Sequence, residues 1–156
     1  MVEAQAALEI VVFALGQERF GLAVRDVERV LRAVASTPLP NAPAIVEGVV
    51  SLAGEPVAVL DLRGRFALPP KPVEITDMLI VTRAAGRRVA IRADRVAGVV
   101  KVAAADIRAA ETVAPMAVQI AGVAMLPDGV VLLHDPDAFL TQSEAVELAA
   151  LTTPPS

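Results

Sequence analysis

Short apolar runs broken by glycine turns set the rhythm of this chain. Glu9 to Leu15 (EIVVFAL) is apolar and β-branched, and Gly16-Gln17-Glu18 separates it from Arg19 to Ala23 (RFGLA), a spacing that predicts a hairpin. The pattern recurs. Gly48 to Leu52 and Pro56 to Leu62 flank Ala53-Gly54-Glu55, Met78 to Arg83 and Arg87 to Ile91 bracket Gly86, and Gly122 to Leu126 and Val130 to Leu133 bracket Pro127-Asp128-Gly129. Val24 and Val27 fall on one side of a helical turn, while Val30 and Leu31 with Arg29 and Arg32 fit a helix or a strand, and periodicity alone leaves both open. Thr37 to Pro43 carries three prolines and reads as an extended connector outside the core, and Lys71 to Thr76 reads as a loop. Near the end, Asp135 is placed to cap a short helix with Pro136 at its first position. Thr141 and Glu144 have capping-box spacing for a final helix bearing Val146, Leu148 and Leu151, after which Thr152 to Ser156 should fray.

The hairpins repeat. Phe20-Gly21-Leu22, followed by Val27 and Val30-Leu31, matches Val89-Ala90-Ile91, followed by Val96 and Val99-Val100, at one constant offset. Gly48 to Asp61 likewise matches Gly122 to Asp135 at a slightly different offset. Two similar β-lobes in one domain over 1–156 are therefore expected, spanning approximately 15–85 and 86–135, with the terminal segments completing the fold. Short strands with glycine turns favour small barrels over a sandwich.

Composition narrows the function. Hydrophobic residues make up 55% and charged ones 21%, which excludes disorder outside the ends. The absence of cysteine removes disulfides and thiolate metal sites and fits a reducing cytoplasm. No apolar run reaches the roughly 18 residues of a membrane span. Val113 to Pro127, interrupted by Pro115, Gln119 and Gly122, reads as buried loop and strand. Met1, Val2 and Glu3 lack the basic stretch of a secretory leader, so the expected location is cytoplasmic. A net charge of −4 with interspersed arginines gives no footprint for nucleic acid.

No nucleophile, base or phosphate loop assembles from these residues, and no catalytic residue, cofactor or metal is expected. His134 is the only histidine and reads as a structural residue at a strand end. Asp61 and Asp135 occupy equivalent places in the repeat and should bond backbone at strand exits; a small hydrolase built on either carboxylate is one alternative. An oligonucleotide-binding barrel is another, but it needs stacking aromatics, and the four phenylalanines look buried.

Three segments, VVFALGQERFGLAVRDVERVLR (Val11 to Arg32), TPLPNAPAIVEGVVSLAGEPVAVLDLRGRF (Thr37 to Phe66) and VLLHDPDAFL (Val131 to Leu140), together resemble the CheW family of bacterial chemotaxis coupling proteins. The resemblance implies a mainly β fold of two five-stranded SH3-like barrels around a shared core, with a short C-terminal helix. It implies a non-catalytic adaptor that joins chemoreceptors to a CheA-type histidine kinase. The partners would be the kinase's barrel-shaped regulatory domain and the cytoplasmic helical tip of a methyl-accepting receptor, with no direct insertion into the membrane. Kinase contact maps onto Val27, Arg29 and Gly48 of the first lobe. Receptor contact maps onto a groove between the lobes near Ala53 and Gly54. Core packing or turn geometry is the competing role at the apolar positions. Where the family usually reads Asn-Leu-Arg-Gly, this chain reads Ser51-Leu52-Ala53-Gly54, which raises the alternative of a specialised member that binds the kinase but couples poorly to standard receptors.

Overall fold

The computed structural model describes residues 7–109 and 120–152. The expected features at 1–3, 113–119 and 153–156 lie outside the described residues. Eleven strands are described, β1 (Ala7–Leu15), β2 (Glu18–Ala23), β3 (Val27–Arg32), β4 (Val46–Leu52), β5 (Glu55–Leu60), β6 (Met78–Ala84), β7 (Arg87–Ala93), β8 (Arg95–Ala103), β9 (Ile107–Ala109), β10 (Ile120–Leu126) and β11 (Gly129–His134). A helix, α1 (Gln142–Thr152), follows. The four expected hairpins are β1–β2, β4–β5, β6–β7 and β10–β11. The expected helical turn is one 3-10 turn over Val24–Asp26, and it leads directly into β3, so the undecided residues Arg29 to Arg32 are strand.

Two sheets form, with strand orders β3-β6-β7-β5-β4 and β8-β1-β2-β11-β10-β9. The first has the expected five strands and the second has six. We call them the first and second lobe. The lobe limits expected near 15–85 and 86–135 shift, because β1 and β2 belong to the second lobe and β7 to the first. The cause is an exchange between the repeats. The ladder Val11↔Leu22 of β1–β2 has its counterpart in Ile80↔Ile91 of β6–β7, and Ala124↔Val131 of β10–β11 corresponds to Val50↔Val57 of β4–β5. Yet β2 pairs in parallel with β11, through Leu132↔Phe20, and β7 with β5, through Ala58↔Val89. Each lobe thus takes two strands from one repeat and the remainder from the other.

The apolar runs are nearly continuous because the central strands are covered on both faces. In β6, Leu79 and Val81 join Val50, Leu52, Val57, Val59 and Ala90 inside the first lobe, while Ile80 turns toward a second cluster. Ile10 and Val12 join Val102, Ala124, Val131 and Leu133 inside the second lobe. Between the lobes lies the shared core, where Phe13, Leu15, Phe20 and Leu22 meet Leu60, Ile80, Ile91, Phe139 and Leu148. Helix α1 begins with the predicted reciprocal cap. Thr141 N–H donates to Glu144 Oε1 at 2.8 Å and Glu144 N–H to Thr141 Oγ1 at 3.1 Å. No described helix is long and apolar enough to cross a membrane.

Candidate functional site

The residues expected to face partners occupy edges and turns of the first lobe. Val27 and Arg29 lie on β3, an outer strand of its sheet, with a bulge between them: Val27 opposes Thr82 and Arg29 opposes Val81. A bulge on an edge strand twists it and re-aims its side chains. Arg29 is exposed, whereas Val27 is half-buried against the shared core and also lines a shallow cleft of about 300 Å³ with Arg25, Asp26, Glu28, Thr82 and Arg83. The buried Thr82 hydroxyl donates to Asp26 O, which fixes the turn that delivers Val27.

Gly48 lies on β4, at the other side of that sheet. The chain leaving β3 continues through 33–37 to the free flank of β4, where Thr37 and Val49 exchange both backbone hydrogen bonds at 2.8 Å. The proline-bearing connector therefore begins inside the lobe's hydrogen-bonding. A Cβ at Gly48 would stand 2.5 Å from Thr37 O and 2.7 Å from Ser36 Oγ, so the glycine is buried beneath this crossing segment. Its part in any partner surface is to let that segment approach.

Ala53 and Gly54 form the β4–β5 turn, both exposed and both at positive φ, 52° and 82°. That handedness suits the twist of a two-residue hairpin. Arg88 reaches from β7 to Glu28 on β3 at 3.1 Å and to Glu55 beside this turn at 3.0 Å. A cation thus links β3, which carries Val27 and Arg29, to the start of β5 beside the Ala53-Gly54 turn.

Sequence reasoning missed a chain of charges beside the lobes. Asp94, at the exit of β7, accepts from Arg63 and from the Gly16 N–H of the β1–β2 turn at 2.6 Å, and Lys71 lies 3.6 Å away. It therefore ties the second lobe's turn to the segment after β5. Burial alone would raise the Asp94 pKa, but bonding to Arg63 and Gly16 and the charges of Arg63 and Lys71 outweigh it and hold the carboxyl below its ordinary value. Lys71 is likewise partly desolvated, and its bond to Glu74 with the charges of Asp94, Asp77 and Glu74 overcomes this and raises its pKa. The Asp94 contribution to stability is complete above the unfolded carboxylate pKa near 4 and disappears as pH falls through the lower folded value. That of Lys71 is complete below its unfolded value and is lost as pH rises through the higher folded one. Asp94→Asn should melt lower than wild type at pH 7 and show a flatter loss of stability below about pH 4. Thermal melts across pH decide this, and parallel profiles for the two proteins would remove Asp94 from the acid response.

The alternative chemistries find different employment for their residues. Asp61 Oδ1 accepts from Arg63 N–H, and Asp135 Oδ1 accepts from Asp137 N–H, each at 3.0 Å. These are the same turn-building bond at the two equivalent strand exits. His134 is buried in an aromatic group, its ring centroid 4.8 Å from Phe66, 5.2 Å from Phe20 and 5.8 Å from Phe139. Phe13, Phe20 and Phe139 are buried and Phe66 half-buried, which leaves no aromatic platform for bases among the described residues.

Comparison with known proteins agrees with this architecture. The CheW-like domain matches residues 9–144. Chemotaxis protein CheW of Klebsiella aerogenes is 29% identical over 138 residues, covering 87% of this chain and 83% of that protein. Chemotaxis protein CheW of Treponema pallidum is 29% identical over 104 residues, or 64% of this chain, and the match spans 61% of that relative. The crystal structure of scaffolding protein TtCheW from Thermoanaerobacter tengcongensis aligns with a TM-score of 0.80 at 25% identity, covering 88% of this chain and 94% of that one. Two lobes of this topology, matched along nearly their whole length, place the chain in the CheW-like family of chemotaxis scaffold proteins.

Proposed function

We propose that this protein is a non-catalytic cytoplasmic adaptor that couples chemoreceptors to a CheA-type histidine kinase. The observation that carries the reading is the bulged outer strand β3, which presents Arg29 outward and opens at Val27 onto the cleft beside Arg25 and Arg83. An outer strand with a shallow cleft suits a matching barrel, since strand edges supply main-chain hydrogen bonds and side-chain pockets supply selectivity. In this reading the kinase's regulatory domain docks on the first lobe through Val27 and Arg29 on one flank and through segment 33–37, which Gly48 lets approach, on the other, and the receptor tip engages the groove near Ala53 and Gly54. The receptors hold the complex at the membrane.

Val27 and its repeat counterpart Val96 both pack, half-buried, against the shared core, so a charge at either should cost folding a similar amount. Val27→Asp should weaken binding to the kinase regulatory domain at least tenfold more than Val96→Asp. Calorimetry on variants first shown to be folded by thermal melts provides the comparison, and equal losses would end the case for a first-lobe interface.

A further inference from the structure

Segment 33–37, which crosses over Gly48, has little apolar surface to hold it. Val34 is 54% exposed, Ala35 and Thr37 are exposed, and only Ala33 packs on the lobe interior. Polar bonds do the holding. Arg92, on β7 and 7% exposed, sends Nε and Nη2 to the two carboxylate oxygens of Glu47, both at 2.6 Å, and Nη2 also donates to Val34 O at 3.3 Å. Glu47 in turn accepts from Ser36 Oγ at 2.7 Å. Arg92 Nη1 lies 3.7 Å from the buried Asp77, whose carbonyl accepts from Ala33 N–H at 3.0 Å.

The second lobe performs the same crossing with no ion pair at the equivalent positions. Ladder equivalence sets Arg92, opposite Leu79, against Ala23, opposite Ile10. Glu47 sits in the β4 bulge between Val46 and Gly48, and Ala121 sits in the matching β10 bulge between Ile120 and Gly122. Thr37, opposite Val49, corresponds to Arg108, opposite Val123, so Ser36 corresponds to Ile107. There the crossing chain is a regular strand, β9, with Ile107 packed on that lobe's interior. Ala, Ala and Ile therefore suffice for the fold where the first lobe has Arg, Glu and Ser. Apolar groups of similar volume often replace a buried ion pair without loss of stability, so stability does not account for the charged set. What a bidentate guanidinium–carboxylate pair adds is direction.

We propose that Arg92 is a positioning residue for the kinase-facing flank of the first lobe: through Glu47, Ser36 and the Val34 carbonyl it sets the placement of segment 33–37 over Gly48. This inference rests on the kinase-binding reading of that flank. The test pairs Arg92→Met with Glu47→Leu, which removes the charges together and keeps the volume. The double variant should melt within a few degrees of wild type, lose at least tenfold in amide-exchange protection at Thr37 and Val49, and bind a CheA-type regulatory domain about tenfold more weakly. Arg92→Lys, which keeps the charge without the fork, should fall between. Should the double variant fail to fold, Ser36→Ala, which deletes one hydroxyl, must still raise exchange at Thr37. Unchanged protection in the variants would overturn the proposal, as would unchanged kinase affinity in the folded double variant. Failure of the wild-type protein to bind any such kinase domain would instead sink the proposed function, leaving the exchange measurement to judge Arg92.

Discussion

Replacing Gly48 with alanine is expected to lower stability by about 2 to 3 kcal/mol, the upper part of the range for forcing an extra group into a packed site. The added Cβ meets Thr37 O at 2.5 Å and Ser36 Oγ at 2.7 Å, and Thr37 is held to Val49 by two backbone bonds, so neither β4 nor segment 33–37 is free to yield alone. For a chain of this size the melting temperature should fall by roughly 5 to 10 °C. Kinase affinity should fall at least tenfold as the segment lifts. Gly122→Ala is the internal control: its Cβ would lie 3.0 Å from Arg108 O at the equivalent crossing, a smaller conflict, and the loss should be smaller. A melting temperature for Gly48→Ala equal to that of wild type would show that the crossing segment moves aside at no cost.

The second large effect concerns Ala53. If an arginine on this turn docks the receptor tip, its absence leaves receptor binding weak and kinase binding intact, and Ala53→Arg should strengthen the receptor interaction about tenfold or more. The gain corresponds to charge-assisted hydrogen bonds, on the order of 1.5 to 3 kcal/mol. Alanine already adopts φ of 52° here and its side chain is exposed. Arginine therefore adds no new backbone strain and no burial, which separates the binding effect from any folding effect. Calorimetry against a soluble receptor-tip fragment and a kinase regulatory domain reads both surfaces. Equal receptor affinity in the two proteins would mean that this chain couples through other residues, and would end the case for a receptor-deficient specialist.

The four hairpins were legible because each turn carries a glycine between β-branched runs, and the reciprocal cap of α1 was legible because its partners are three residues apart. The repeat also showed two lobes, and the family resemblance implied their shared core. Its strand exchange did not show, because each repeat contains a full set of strands and nothing local states which set they will join. The same distance hid the charges. Arg92 finds Glu47 across 45 positions and Arg63 finds Asp94 across 31, and only the sheet topology brings them together. Gly48 was singled out as a contact, while the reason for a glycine there, the crossing of segment 33–37, emerges only in three dimensions. Arg29 to Arg32 remained ambiguous because a helical turn over Val24–Asp26 runs directly into the strand that contains them.

The exchange of strands between repeats also dictates an order of events as the chain is made. The first lobe draws all five strands from one contiguous stretch, β3 to β7, and can begin to assemble once that stretch has left the ribosome. The β1–β2 hairpin, though synthesised earliest, must wait for β8 and β11, since its ladders join Ala7 to Ala103 and Phe20 to Leu132. Such distant pairings make folding slow, because the entropy of closing long loops is spent before the contacts form. Meanwhile Ile10, Val12, Phe13 and Phe20, all buried in the finished protein, have no cover. A nascent chain halted before β11 would hold this hairpin ready for any other exposed edge, so premature termination should yield aggregates rather than a free-standing kinase-binding lobe.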